Sequence, residues 1–253
     1  MGRRYALRDD QWDVIKGLLP GREETVGATV RDNRLFVEAV LYRYRAGNPW
    51  RDLPERFGDW KNVHRRFSRW AQSGVLEAVF AHLASDADNE YAMIDSTIVR
   101  AHQHSAGAVK KKDQDQAIGR SRGGLSTKIH ATVDALGNPT GFHLTGGQAC
   151  DLDGADALLP DISAKILLAD RGYDADVRVL EPLARAGKTA VIPPKRHRTN
   201  QRFYDKHLYQ ARHLIENFFG KLKQFRAIAT RYDKTGCNFL AAIHLAAATI
   251  WLT

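Results

Sequence analysis

Apolar residues recur at helical spacing through the first third of the chain and at strand spacing through its middle. In the first third, Trp12, Ile15, Leu18 and Leu19 fall on one side of a short helix from Asp10 to Leu19, which Pro20-Gly21 ends. A longer helix, Arg31 to Ala46, gathers Leu35, Phe36, Val40 and Tyr44 on one arc and stops at Gly47. Leu53 to Phe57 predicts one helical turn, Gly58 a break, and Asp59 the cap of a helix from Trp60 to Gln72. There Trp60, Val63, Phe67 and Trp70 point inward, while Lys61, Asn62, His64, Arg65, Arg66 and Arg69 occupy the other faces. A turn followed by a helix armed with Arg, Asn and Lys is how a helix-turn-helix reader meets a major groove. An ordinary helical bundle with a charged exterior gives the same pattern. Gly74 to Leu83 closes the bundle.

After the polar stretch Ser85 to Glu90 the period changes. Tyr91 to Val99 is a β-branched run broken by Asp95, and Lys128 to Asp134 with Thr140 to Thr145 flank a Leu-Gly-Asn-Pro turn, a hairpin signal. Ala164 to Ala169 is an apolar run, broken only by Lys165 and ending on Asp170, as a buried parallel strand would be. Asp174 to Ala186 reads as helix with Pro182 inside it, Thr189 to Ile192 as strand, and Tyr204 to Arg226 as one long helix. The reading is an all-helical domain over residues 1–85 and an α/β domain with a mixed sheet over 86–253.

Composition locates a partner. The net charge is +9, and nearly all of it sits between Lys195 and Lys234, which carry eleven basic and three acidic residues. A second basic stretch runs from Lys110-Lys111-Lys112 through Arg120 and Arg122 to Lys128, and Lys110 to Arg122 reads as a loop for non-specific phosphate contact. Localised positive charge suits a polyanion. The first residues lack the apolar run of a secretory signal, and the longest apolar stretch, Phe239 to Leu252, is shorter than the ~18 residues of a membrane span. Cys150 and Cys237 have no partner spacing. The expectation is a cytoplasmic protein with reduced thiols and no membrane contact.

The carboxylates carry the chemistry. Asp95 and Asp170 each interrupt or end an apolar strand, where an ionised group is costly unless an arginine or a divalent cation compensates it. On the long helix, at about 100° per residue, Tyr209, Arg212, Glu216 and Lys223 form a polar stripe distinct from the apolar arc of Ile215, Phe218, Phe219 and Leu222. Such a stripe suits a metal-bound phosphodiester, with Glu216 on the ion and Arg212 and Lys223 on phosphate oxygens. An Arg212–Glu216 salt bridge one turn apart is the simpler alternative. Gly220, within the stripe, predicts a close approach by backbone or substrate.

The spacing Tyr209-x2-Arg212-x3-Glu216-x6-Lys223 resembles the Tyr-Arg-Glu-Lys signature of bacterial insertion-sequence transposases of the DDE class. MIDSTIVRAHQHSAGA around Asp95 and LLADRGYDAD around Asp170 are similar to that family's first two acidic motifs. GRSRGGLSTKIHATVDALGNP and the N-terminal block from DDQWDVIKGLLP to NPWRDLPERFGDWKNVHRRFSRW extend the resemblance over nearly the whole chain. It implies an RNase H-like catalytic domain behind a helix-turn-helix-like domain, with Asp95, Asp170 and Glu216 as catalytic metal ligands. Two Mg²⁺ ions are implied, with Mn²⁺ as a substitute, and in-line strand cleavage and transfer without a covalent enzyme intermediate. Tyr209, Arg212, Lys223, Lys61, Arg65, Arg66 and Arg69 would contact double-stranded DNA, at element ends and target, in a homodimer. The short gap from Asp170 to Glu216 implies that the large β insertion of some relatives is absent. The competing readings are a repressor without catalysis and a general RNase H-like nuclease. A metal site at His102-x-His104 lacks a matching pair.

Overall fold

The computed structural model describes residues 5–21, 32–106 and 116–253. Lys110-Lys111-Lys112 lie outside the described residues. The helical part contains α1 (Asp9–Ile15), α2 (Asn33–Ala46), α3 (Trp60–Gln72) and α4 (Val75–Ala84). The predicted caps hold: Asp59 accepts the amide of Lys61, and Gly47 closes α2 in the left-handed conformation. Asp32, one residue past the expected start of α2, caps it by accepting from Leu35. The turn ahead of α3 departs from the expectation. Trp50–Asp52 and Glu55–Phe57 are separate 3₁₀ turns, because Pro54 and Gly58 leave only one turn's length between them.

The remainder is built on a seven-stranded mixed sheet. Its strands are β1 (Ala92–Ala101), β2 (Gly119–Ser121), β3 (Gly124–Val133), β4 (Pro139–Gly146), β5 (Ile166–Ala169), β6 (Thr189–Val191) and β7 (Thr230–Arg231). β3 and β4 form the expected hairpin and β3 runs antiparallel to β1, whereas β5 is parallel to both β1 and β6. The helices are α5 (Asp151–Leu158), α6 (Glu181–Arg185), α7 (Lys206–Tyr209), α8 (His213–Lys223), α9 (Arg226–Ala229) and α10 (Gly236–Trp251). Pro182 sits in the first turn of α6, where its missing amide costs nothing, behind a π turn at Asp176–Leu180.

Strand alternation sorts the side chains onto two faces. Met93 and Leu168 pack with α2, α3, α4, α8 and α10 in one cluster, while Ala92, Ile94, Leu167 and Ala169 pack with α5 and α6 in a second. The first cluster runs without a break from the helical part into the sheet. α10 is buried along most of its length and packs on α3, α4, α8 and β4, so the apolar C-terminal run is an internal helix. Among the described residues no helix is long and apolar enough to cross a membrane.

Candidate active site

The two strand-borne carboxylates meet at the edge where β1 and β5 run parallel. Ile94 pairs with Ala169, so Asp95 and Asp170 are the next residues on adjacent strands. By the same alternation Asp95 follows Met93 onto the α8 side. Its Oδ1 accepts the Ser96 amide at 2.7 Å, and its Oδ2 accepts from Arg212 Nη1 at 2.7 Å. Burial lifts the Asp95 carboxyl above its ordinary range, the neighbouring Asp170 charge adds to the effect, and Ser96 and Arg212 offset it only in part. Asp170 ends its strand and caps the following turn, with Oδ1 accepting the Gly172 amide at 2.7 Å.

The third carboxylate arrives through an arginine. The predicted long helix is two helices, α7 and α8, joined by a 3₁₀ turn at Gln210–Arg212. The turn tightens where Arg212 reaches across to β1. Arg212 donates to Asp95 with one amino group and to Glu216 with the other, which joins first and third carboxylates through one cation. Both alternatives for the stripe therefore meet: the i,i+4 salt bridge exists, and it is also attached to Asp95. Glu216 is largely exposed. Tyr209 is half-buried with its ring against Tyr204, and Lys223 is exposed. Nothing in the described chain packs within 4 Å of where a Gly220 side chain would begin. The close approach expected there is thus not made by this chain's backbone.

A fourth carboxylate, absent from the sequence reading, adjoins this edge. Asp151 opens α5, and its Oδ1 accepts from Ser96 Oγ at 2.6 Å and from Lys128 Nζ at 2.8 Å. Burial pushes the Asp151 carboxyl up, but Lys128 and Ser96 outweigh it, and the net displacement is downward. α5 can come this close because residue 154 is glycine: a Cβ there would lie 2.1 Å from His130 Nδ1. Lys128, counted in the second basic stretch from sequence, is buried on β3. A lysine in the middle of a buried strand is the signal that a carboxylate partner is needed. Replacing Asp151 by Asn should cost about 1–2 kcal/mol at neutral pH by leaving Lys128 unpaired. Because the depressed carboxyl contributes stability that is lost as pH falls below ~4, the gap between native protein and variant should close in that range. Acid unfolding followed by circular dichroism checks this.

A hard divalent cation fits these residues on two observations. The Tyr173 hydroxyl is buried beside the acidic edge and has no hydrogen-bond partner among the described residues. Burial and the charges of Asp95, Asp151 and Asp170 all push its phenol pKa up. A Cβ at Gly172 would lie 2.8 Å from Asp170 Oδ1 and 3.7 Å from Asp151 Oδ2, so glycine keeps the space between these carboxylates open. Oxygen donors of this kind suit Mg²⁺ or Mn²⁺. Among the described residues, however, no three acidic, histidine or cysteine side chains already converge on one point. The rings of His102 and His104 meet edge to face, and His102 stacks on Tyr232.

The basic residues divide into inward and outward sets. Arg198 and Arg202 are both bound to the buried Asp174, and Arg231 is fully buried, so the positive stretch is not all surface. Arg171, Lys195 and Arg196 line a cleft of about 700 Å³ that begins one residue beyond Asp170. On α3, Lys61, Arg65 and Arg69 are exposed around a shallow concavity. Arg66 is half-buried: its guanidinium lies 4.1 Å from the Phe36 ring centroid and 4.7 Å from that of Trp70, and it donates to Asn33. Burial and the neighbouring Arg69 charge lower its pKa to about 10. Its guanidinium thus packs on the aromatic rings of the helical core.

Comparison with known proteins settles the class. A family described as "Transposase DDE domain" matches residues 88–251, well over half of the chain. The chain belongs to the DDE transposases. Residues 7–80 match a second family, "Putative transposase of IS4/5 family", which places the transposase among those of bacterial insertion sequences. It is 40% identical over 129 residues to the putative transposase for insertion sequence element IS6501 of Brucella ovis, across 51% of this chain and 99% of that one. Over 106 residues it is 54% identical to the uncharacterized protein y4sN of Sinorhizobium fredii, across 42% of this chain and 85% of that one. The piggyBac transposase, in a synaptic complex with hairpin DNA, superposes with a TM-score of 0.50 at 13% identity, over 96% of this chain and 71% of that one. That likeness speaks for the fold, an RNase H-like mixed sheet behind a helical N-terminal part. The transposase is accordingly an enzyme of a family that depends on divalent metal.

Proposed function

We propose that this transposase cuts phosphodiester bonds at the ends of an insertion sequence and joins the freed 3′-hydroxyl to target DNA. The observation that carries the reading is that Asp95 and Asp170 directly follow the paired Ile94 and Ala169 on adjacent parallel strands, with Glu216 tied to the same edge by Arg212. Asp95 and Asp170 would hold Mg²⁺, or Mn²⁺ in its place, and Glu216 would complete the ligand set for two ions. When bound, the ions supply activation of the attacking hydroxyl and stabilisation of the leaving oxygen. Arg212, Tyr209 and Lys223 would then hold the phosphate, Arg212 exchanging its contact with Asp95 for the non-bridging oxygens. The protein supplies no covalent nucleophile in this scheme.

The unpaired cations of the cleft beside Asp170 lie where a strand leaving the scissile phosphate would pass, which supports them as the track for flanking DNA. Phe203, almost fully exposed next to Arg202, is placed to stack on a base of that strand. Residues 1–85 would read the element end through Lys61, Arg65 and Arg69 and residues 86–253 would cut it, within a homodimer that brings two ends together.

The test is nicking of DNA that carries the ends flanking this gene, with Mg²⁺ present or removed by EDTA. Nicks confined to the ends and dependent on metal support transposition. Binding without nicks supports a repressor, and nicks indifferent to end sequence support a general nuclease. For the reader helix, changing Lys61, Arg65 and Arg69 together to Ala should reduce the slope of log K against log salt by about 3 in fluorescence anisotropy. Changing Arg66 to Ala should lower thermal stability and leave that slope unaltered.

A further inference from the structure

The orphaned hydroxyl of Tyr173 is a buried polar atom, without a partner among the described residues, that the mechanism above leaves without a use. Tyr173 is fully buried in the cluster between the sheet and α5, and its ring cannot turn to solvent for a partner. A buried hydroxyl with nothing to bond is a standing cost to the folded protein. The groups it senses are Asp95, Asp151 and Asp170 together. Two of those carboxylates face each other across the space that Gly172 leaves clear. Asp151 in turn is fixed by Ser96, the neighbour of Asp95, and by Lys128, which also donates to the Ala149 carbonyl at 2.6 Å. The edge is therefore braced on the α5 side by Ser96 and Lys128 and on the α8 side by Arg212.

We propose that Tyr173 and Asp151 form an outer layer of the cation site, in which the Tyr173 hydroxyl accepts a hydrogen bond from a water bound to the cation held by Asp95 and Asp170 and Asp151 fixes the edge from behind. Mg²⁺ and Mn²⁺ keep several waters when bound through one or two carboxylates, so such a site needs donors and acceptors beyond the direct ligands. Tyr173 acts here as a positioning residue, with no role in making or breaking bonds. The inference rests on the reading that Asp95 and Asp170 hold the cation.

Its signature separates it from a packing role. Tyr173→Phe removes only the hydroxyl and keeps the ring in the core. Without metal, the variant should melt at the same temperature as the native protein or above it, since an unsatisfied group has been deleted. Its affinity for Mn²⁺, read as loss of the free-ion signal in electron paramagnetic resonance, should fall about tenfold, the scale of outer-layer substitutions. Asp95→Asn serves as the reference and should remove high-affinity Mn²⁺ binding. If Asp95→Asn still binds Mn²⁺ as the native protein does, the cation reading itself fails. If Asp95→Asn loses binding while Tyr173→Phe keeps native affinity, only the present proposal is overturned. A lower metal-free melting temperature for Tyr173→Phe also overturns it, because the hydroxyl would then have a partner inside the protein.

Discussion

Changing Asp95 to Asn is expected to reduce metal-dependent strand cleavage by roughly 10³-fold or more, the scale on which single charge-stabilising groups contribute to catalysis. Binding of element ends should survive, because the exposed cations of α3 and of the cleft beside Asp170 are untouched. The fold should survive as well. Burial already disfavours the charge at Asp95, so a neutral isostere removes a repulsion with Asp170 while Arg212 keeps Glu216. The melting temperature should be equal to or above that of the native protein. A gel assay for nicking, an anisotropy assay for binding and a thermal melt together separate these outcomes. Loss of all three at once would point to misfolding and remove the support for a catalytic role.

The second large effect is expected at Arg212. Its guanidinium is the only cation bonded to Asp95 among the described residues, and it serves Glu216 at the same time. Arg212→Ala leaves a mostly buried carboxylate without its counter-charge and should cost about 2 kcal/mol in the absence of metal. Lysine has a single ammonium and cannot bridge both carboxylates with the arginine's fork, so Arg212→Lys should recover only part of the loss. Added Mn²⁺ should raise the melting temperature of Arg212→Ala more than that of the native protein, because the ion then supplies the missing positive charge. Cleavage should nonetheless fall, since the phosphate has lost its holder. An unchanged metal-free stability would show that Asp95 does not depend on Arg212.

Much of this architecture is legible in the sequence because it follows from local periodicity. The spacing of Val63, Phe67 and Trp70 fixes α3 and its buried face, and the apolar run to Ala169 fixes β5 and leaves Asp170 at its end. The stripe of Arg212 and Glu216 is legible for the same reason, as both lie on one side of a 3.6-residue period. What the sequence hides is whatever depends on distant pairing. Arg66 stands among outward-facing cations by spacing alone, yet the rings of Phe36 and Trp70 draw it inward. Asp151 carries no signal of its own in the sequence, and its role shows only when Lys128 on β3 and Ser96 on β1 are brought to it. The 3₁₀ turn at Gln210–Arg212 has no local cause, since all three residues favour helix, and it coincides with the reach of Arg212 to another element.

The central claim, that acidic side chains far apart along the polypeptide hold divalent metal against DNA, is tested most directly by anomalous scattering from crystals of the end-DNA complex grown with Mn²⁺. The account predicts a manganese peak within about 2.1 Å of carboxylate oxygens from both Asp95 and Asp170, with Glu216 turned from Arg212 toward the ion. A complex that cleaves DNA while its manganese lies elsewhere, with Arg212 still bound to Asp95, would contradict it.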